Sequence, residues 1–378
     1  MKLMHLSDLH LGKIVDGFPM REDQKYILEQ ILEIARQEKP DGVLIAGDVY
    51  DKRIPSAEAV TMLDGFLSAM AQICEVFLIS GNHDSAERLA FGGRLMTAAG
   101  VHVSPVYNGT VKTVTRRDEF GEVSIHLLPF LRPAQVRAFN QEEQIENYTD
   151  AVRVALRGID LEDGARHVLV AHQLVTGSLT CGSEELSIGG SENVDAEAFA
   201  GFDYVALGHL HGPQRAGGDH IRYCGTPLKY SLSEINHKKS VTFVHLGKKG
   251  DMEITTRPLT PLREMKQIRG TYQELMARNY YENTDLQNCY LHITLTDEAD
   301  VPEALGRMRQ VYKYIMKLTY DNTRTRSYRN PLEQQVEMET SPLSLFRQLY
   351  EAQNNQPLSD RQDDWLRELI VKIWEEDV

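Results

Sequence analysis

The sequence predicts an α/β chain whose strands end in chemistry-bearing residues. Three observations carry that expectation. Five short apolar runs, residues 3–6, 43–46, 76–80, 168–171 and 204–207, have the length and composition of buried strands. Amphipathic stretches of helical period separate them. From residue 220 onward, short strand-like runs alternate with Gly-rich or Lys-rich turns. A layered α/β architecture with a β-rich second half accommodates all three.

Element by element, residues 21–36 carry Ile27, Leu28, Ile31, Leu32 and Ala35 at helical spacing. Ser56 fits the N-cap of a helix with Val60, Leu63, Phe66, Leu67 and Met70 on its apolar side. Residues 86–98 continue as one helix. Residues 101–106, 110–115 and 123–129 read as strands, and 148–157 as a helix. Strands are expected again over 220–224, 240–246 and 252–257. Between two of the five principal strands lies 177–194, rich in Gly and Ser, a loop of the kind that borders a site.

The pattern changes near Pro258 and Pro261. A small second domain with a βαβ-like core follows: a short helix over 272–277, a strand over 289–296, a helix over 301–316 and a strand over 315–320. The expected division is 1–262, 263–330 and 331–378. In the last segment, Ser341-Pro342 suits an N-cap and first helical position, and 354–357 a turn. Ser359 with Gln362 forms a capping box. Trp365, Leu366, Leu369, Ile370, Ile373 and Trp374 then line one helical face. A helical hairpin of this size cannot enclose much core by itself. Its face covers either this chain's own body or another protein, and the polar stretch before it favours another protein.

The chain has 378 residues, 42% hydrophobic and 25% charged, as in soluble globular proteins. No apolar run approaches the ~18 residues of a membrane helix. Cys74, Cys181, Cys224 and Cys289 are widely spaced, so a reduced, cytoplasmic setting is expected. The net charge of −14 disfavours bulk electrostatic attraction to a polyanion. Half of it falls after residue 329, where 11 Asp or Glu face 4 Lys or Arg. Bound cations would offset part of the remainder.

Each of the five runs ends on ligand-type residues: Asp8 and His10; Asp48; Asn82, His83 and Asp84; His172; His209 and His211. Ligands in open α/β sheets gather at the carboxyl ends of strands. Asp8 and His10, like His209 and His211, stand at i and i+2, which on an extended backbone places both on one side. Two carboxylates, one amide and four imidazoles without thiolate suit two borderline ions, such as Mn²⁺ or Fe²⁺, rather than a closed zinc site. Two adjacent ions need a shared ligand, and Asp48 is the expected bridge. His83 projects beside Asn82 as a general acid, its other ring nitrogen held by Asp84; a fifth imidazole ligand is the alternative. Asp51 either supports the site or is a solvated turn carboxylate.

The ordered series D-x-H, G-D-x-x-D, G-N-H-D, H and G-H-x-H resembles the calcineurin-like metallophosphoesterase superfamily, and its nuclease subunits in particular. The resemblance implies a layered metallophosphoesterase sandwich, a small α+β cap domain and a C-terminal helical hairpin. It implies one ion on Asp8, His10, Asp48 and His211, and the other on Asp48, Asn82, His172 and His209. Two Mn²⁺ per chain are implied, with Fe²⁺ or Mg²⁺ as alternatives. It further implies cleavage of DNA in repair and recombination, together with a coiled-coil ATPase that the hairpin docks on. It implies a homodimer within a heterotetramer, joined through residues 57–70 or 86–98 unless the apolar faces of these helices serve ordinary core packing. Lys13, Lys52, Arg53 and Arg88 are candidate DNA backbone contacts. The competing expectation is a small-molecule phosphodiesterase on the same site, which suits the acidic charge better and the cap and hairpin less well.

Overall fold

The computed structural model describes residues 1–161, 164–182, 184, 192–323, 325, 343, 346–347, 349–351 and 357–376. Its body is two six-stranded sheets packed face to face. In the first, Lys2–Leu6, Gly42–Ala46, Glu75–Ile79 and Val101–Val103 run parallel, and Ser240–Leu246 and Met252–Pro258 extend it antiparallel. In the second, Gly121–Leu127, Arg166–His172, Tyr204–Gly208 and Ile221–Tyr223 run parallel, flanked by antiparallel Lys112–Asp118 and Gln214–Arg215.

Side-chain alternation explains why the strands are continuously apolar. Leu3, Leu44, Phe77 and Ile79 point between the sheets and meet Ile125, Val168, Val170 and Tyr204. Met4, Leu6, Val43, Ile45 and Leu78 point the other way, under the helices Arg21–Glu38 and Ala57–Ala71. Leu169, Ala171, Val205 and Leu207 pack beneath the helix Tyr148–Leu156. With both faces covered, each strand needs apolar residues at every position. Each fully buried aliphatic side chain contributes about 1.5–3 kcal/mol of transfer free energy.

The five principal strands fall within two residues of their expected ends. Ser56 caps its helix by accepting the Ala59 N–H at 3.3 Å. Val60, however, is 45% exposed rather than on the buried side. The single helix expected over 86–98 is two, Ala86–Leu89 and Gly93–Ala98, because Gly92 adopts φ +74 and turns the chain. Phe91 and Leu95 consequently face solvent.

The small domain is a three-stranded parallel sheet, Met265–Gly270, Tyr290–Leu295 and Tyr314–Tyr320, with its own core around Leu275, Leu291, Ile293, Met308 and Tyr312. Its first strand was not apparent in the sequence: only Met265 and Ile268 of its six residues are buried. The helix expected over 301–316 is only Ala304–Met308. Arg263 joins this domain to the body, with Nη1 2.7 Å from the buried Asp23 carboxylate and its guanidinium over the Tyr314 ring. Tyr290 OH donates to the same Asp23 oxygen at 2.8 Å.

In the last segment, Asp360–Glu376 is helical. The Ser359 N–H donates to Gln362 Oε1 at 2.9 Å, one half of the expected capping box, and the Ser359 hydroxyl donates to the same oxygen at 2.8 Å. Arg347 pairs with Asp363, and Gln362 Nε2 donates to Tyr350 OH at 3.1 Å, so two helical portions meet. Leu366 is buried, whereas Trp365 is 63% exposed. Ser341-Pro342, most of the 354–357 turn and the side chains of Ile370, Ile373 and Trp374 lie outside the described residues. No helix among the described residues is long and apolar enough to cross a membrane.

Candidate metal centre

The carboxyl ends of Lys2–Leu6, Gly42–Ala46 and Glu75–Ile79 meet those of Arg166–His172 and Tyr204–Gly208 at the seam between the sheets. The approach is so close that only glycine fits. A Cβ at Gly208 would lie 1.8 Å from the Ala46 carbonyl oxygen, and one at Gly81 2.1 Å from Asp48 Oδ1. These are the glycines that precede the ligand residues in the motifs.

Past the strand ends the backbone is strained where the ligands stand. Asp8 (φ 53), His10 (φ 44), Asp48 (φ 46) and His209 (φ 107) all lie at positive φ. Such conformations cost about 1–3 kcal/mol each and persist only where the surroundings impose them. Here neighbouring loops do so: the Asp8 N–H donates to the Gly47 carbonyl at 3.0 Å and the His10 N–H to the Asp48 carbonyl at 2.9 Å. Asp8 and His10 therefore converge through left-handed turns, and His209 lies past its strand end at φ 107, so neither pair uses the extended backbone expected from its i, i+2 spacing.

All seven expected ligands come together. His10 Nε2 lies 3.2 Å from His211 Nε2 and 3.8 Å from Asp48 Oδ2. His172 Nε2 lies 3.3 Å from the same Asp48 oxygen and 2.9 Å from Asn82 Oδ1. His209 Nδ1 lies 3.1 Å from Asn82 Oδ1. The Asp8 carboxylate accepts the His209 N–H at 3.0 Å, and its ligand atoms cluster both with His10 and His211 and with Asp48 and His172. Asp48 thus faces both halves. Asn82 is half-buried and the other six are buried.

The arrangement fits cations. His211 Nδ1 donates to Glu234 at 3.1 Å and His172 Nδ1 to the Ala46 carbonyl at 2.8 Å, which turns each Nε2 into the centre. Two imidazole nitrogens facing each other among carboxylate oxygens is a donor set for divalent metal. The crowded groups shift one another's protonation in the metal-free centre. Burial raises the Asp8 carboxyl to about 6, and the Asp48 charge adds to the rise. Burial opposes ionisation of Asp48 too, but the charge and hydrogen bond of His172 outweigh it and hold Asp48 ionised. Burial disfavours His172 protonation, yet the Asp48 carboxylate raises it to about 9. Burial and the His172 charge lower His209 to about 3. His10 is lowered mainly by burial, so both stay in the neutral form that ligates.

His83 stands at the rim, with Nε2 3.9 Å from Asp48 Oδ2. Its Nδ1 lies 3.0 Å from the Asp51 carbonyl oxygen. The Asp84 carboxylate, expected to hold that nitrogen, instead accepts the N–H groups of Gly81, Val49 and Tyr50 at 2.9, 3.1 and 2.9 Å. Asp84 ties the two loops together. Asp51 supports the site through its carbonyl and through Oδ1, which accepts from Lys13 Nζ at 2.7 Å and lies 3.7 Å from His10 Nδ1. Sequence reasoning missed Glu234 and Lys239. Lys239 Nζ binds the second Glu234 oxygen and donates to the His211 carbonyl at 2.9 Å. Lone polar residues in an irregular segment carry no periodic signal that would have found them.

Residues 1–213 match the calcineurin-like phosphoesterase family and residues 261–354 the type 5 capsule protein repressor C-terminal domain. The SbcD subunit of the SbcCD nuclease of Staphylococcus epidermidis is 31% identical, covering 99% of this chain and 99% of that protein. Among solved structures, a dimetal phosphatase from Danio rerio is 12% identical, covering 68% of this chain and 96% of that one at a TM-score of 0.40. TT1561 of Thermus thermophilus is 11% identical, covering 68% and 98% at a TM-score of 0.38. The chain belongs to the calcineurin-like phosphoesterase family, in the branch of the SbcD nuclease subunits.

Proposed function

We propose that this chain is a DNA nuclease subunit that hydrolyses phosphodiesters with two Mn²⁺ ions and acts with an SbcC-type coiled-coil ATPase. The observation that carries the proposal is the position of Asp48 Oδ2, 3.3 Å from His172 Nε2 and 3.8 Å from His10 Nε2. One carboxylate oxygen facing two ligand groups is what a bridged pair of ions requires. Asp8, His10, Asp48 and His211 would hold one ion, and Asp48, Asn82, His172 and His209 the other. When bound, the ions supply an activated water for attack on phosphorus and offset the phosphate charge.

The chain's own part is positioning and proton transfer. Glu234 and the Ala46 carbonyl fix the orientation of His211 and His172. The Asp51 carbonyl accepts the hydrogen bond from His83 Nδ1–H, so that the imidazolium form of His83 presents its Nε2–H to the site, gives that proton to the departing ester oxygen and is left as neutral imidazole. Asp84 holds the loop that carries His83. The last segment, 331–378, is the docking element for the ATPase, and two nuclease chains with two ATPase chains form the working assembly.

The test is Mn²⁺-dependent cleavage of blunt, hairpin and single-stranded DNA, with and without an SbcC-type ATPase. The proposal expects cleavage that the ATPase stimulates on duplex ends. Hydrolysis of a nitrophenyl diester without cleavage of any DNA, partner present, would make the chain a small-molecule phosphodiesterase instead.

A further inference from the structure

Beside the metal centre lies a cavity of about 330 Å³. Its walls include Asn82, which also belongs to the metal centre, together with Phe130, Arg53, Arg88, Arg132 and Gln135. The Phe130 ring stands 6.2 Å from the His172 ring, and the Arg132 guanidinium lies 5.9 Å over Phe130. The Phe130 N–H donates to the Ser80 carbonyl at 2.9 Å, which fixes this segment against the G-N-H-D loop. The two carboxylates in the wall are engaged. Asp84 accepts three backbone amides, and Glu87 accepts the Ser85 hydroxyl at 2.8 Å. Against these two carboxylates the three guanidiniums leave a formal excess of one positive charge, in a chain of net charge −14.

Resting on the nuclease reading above, we infer that this cavity is a nucleotide subsite: Phe130 stacks a nucleobase and Arg132, Arg88 and Arg53 grip the flanking phosphate. The chemistry selects the occupant. A phosphodiester held at Asn82 and His172 must place one ester substituent beside those residues, and the cavity opens there. An aromatic ring suits the face of any base, and guanidiniums suit phosphate oxygens in paired hydrogen bonds. Stacking and phosphate contacts of this kind are tolerant of sequence. The subsite therefore supplies affinity for a nucleotide without choosing which one.

The test compares two small diesters with the same leaving group, thymidine monophosphate p-nitrophenyl ester and methyl p-nitrophenyl phosphate, on the full chain loaded with Mn²⁺. The wild type is expected to prefer the thymidine ester by about 10-fold or more in kcat/KM, the range of one stacked base. Phe130→Leu keeps apolar volume and is expected to lose the preference through KM, while Phe130→Tyr keeps it. Arg132→Ala is expected to raise KM several-fold for an oligonucleotide carrying the next phosphate, with metal content unchanged by mass spectrometry. No preference in the wild type, or a preference that survives Phe130→Leu, would overturn the subsite. Because both esters are small and need no ATPase, failure of DNA cleavage in the complex would overturn the nuclease reading separately.

Discussion

The Glu234 carboxylate accepts the Nδ1 proton of His211 at 3.1 Å, deep in the protein and on the side of the ring away from the metal centre. Burial would raise the Glu234 pKa, but the hydrogen bond from His211 and the Lys239 charge hold it down at about 2. Glu234→Gln is expected to weaken metal binding by about 10–100-fold, as loss of such a supporting carboxylate does. Isothermal titration with Mn²⁺ reads this directly. Glu234→Ala is expected to cost more, about 3–5 kcal/mol of stability, because it strands the buried Lys239 ammonium. A chemical denaturation midpoint equal to wild type would refute that expectation.

Asp48→Asn is expected to abolish phosphodiesterase activity and lower occupancy at both metal positions together. The shared oxygen is the reason: it faces His172 and His10 alike. Metal analysis after gel filtration gives the count per chain. Loss of one ion with the other retained at wild-type affinity would place Asp48 in a single position.

His83→Ala is expected to retain both ions and lose about 10²–10⁴-fold in DNA cleavage, the range for a general acid. The loss is expected to shrink on a nitrophenyl diester, whose leaving group needs no proton. His83→Ala with a missing ion would instead make His83 a ligand. Asp84→Asn should behave differently. It removes a carboxylate that binds three backbone amides, so its signature is lower thermal stability rather than a selective loss on poor leaving groups.

Removing 331–378 is expected to leave nitrophenyl diester hydrolysis intact and to abolish binding to the ATPase. All seven candidate metal ligands precede Gly212. Trp365 is 63% exposed, so Trp365→Ala is expected to change the stability of the free chain little. Its effect is expected on the complex, about 2 kcal/mol or more if the ring is an anchor there. Pull-down and a thermal melt on the same variant separate the two. A melt lowered as far as binding would assign Trp365 to this chain's own core.

The convergence of the seven candidate ligands was legible in the sequence because buried parallel strands announce their own ends, and the glycines there are required by contacts too close for a Cβ. Strand ends such as Ala46 and Ser240 through Leu246 followed from apolar runs alone. The manner of convergence was not legible. Left-handed φ at Asp8, His10 and Asp48 is imposed by loop-to-loop hydrogen bonds between distant segments, which local spacing cannot express. The same holds for Asp84, whose neighbour in sequence is His83 but whose partners are Gly81, Val49 and Tyr50. The strand Met265–Gly270 escaped notice because Lys266, Gln267 and Arg269 break its apolar pattern.

The central claim is a pair of ions joined through Asp48. Electron paramagnetic resonance of the Mn²⁺-loaded chain tests it most directly, since ions about 3.5–4 Å apart with a common carboxylate couple magnetically. Two Mn²⁺ per chain and the multiline spectrum of an exchange-coupled pair are expected, replaced in Asp48→Asn by weak uncoupled signals. A wild-type spectrum of isolated six-line Mn²⁺ alone, at two ions per chain, would contradict it.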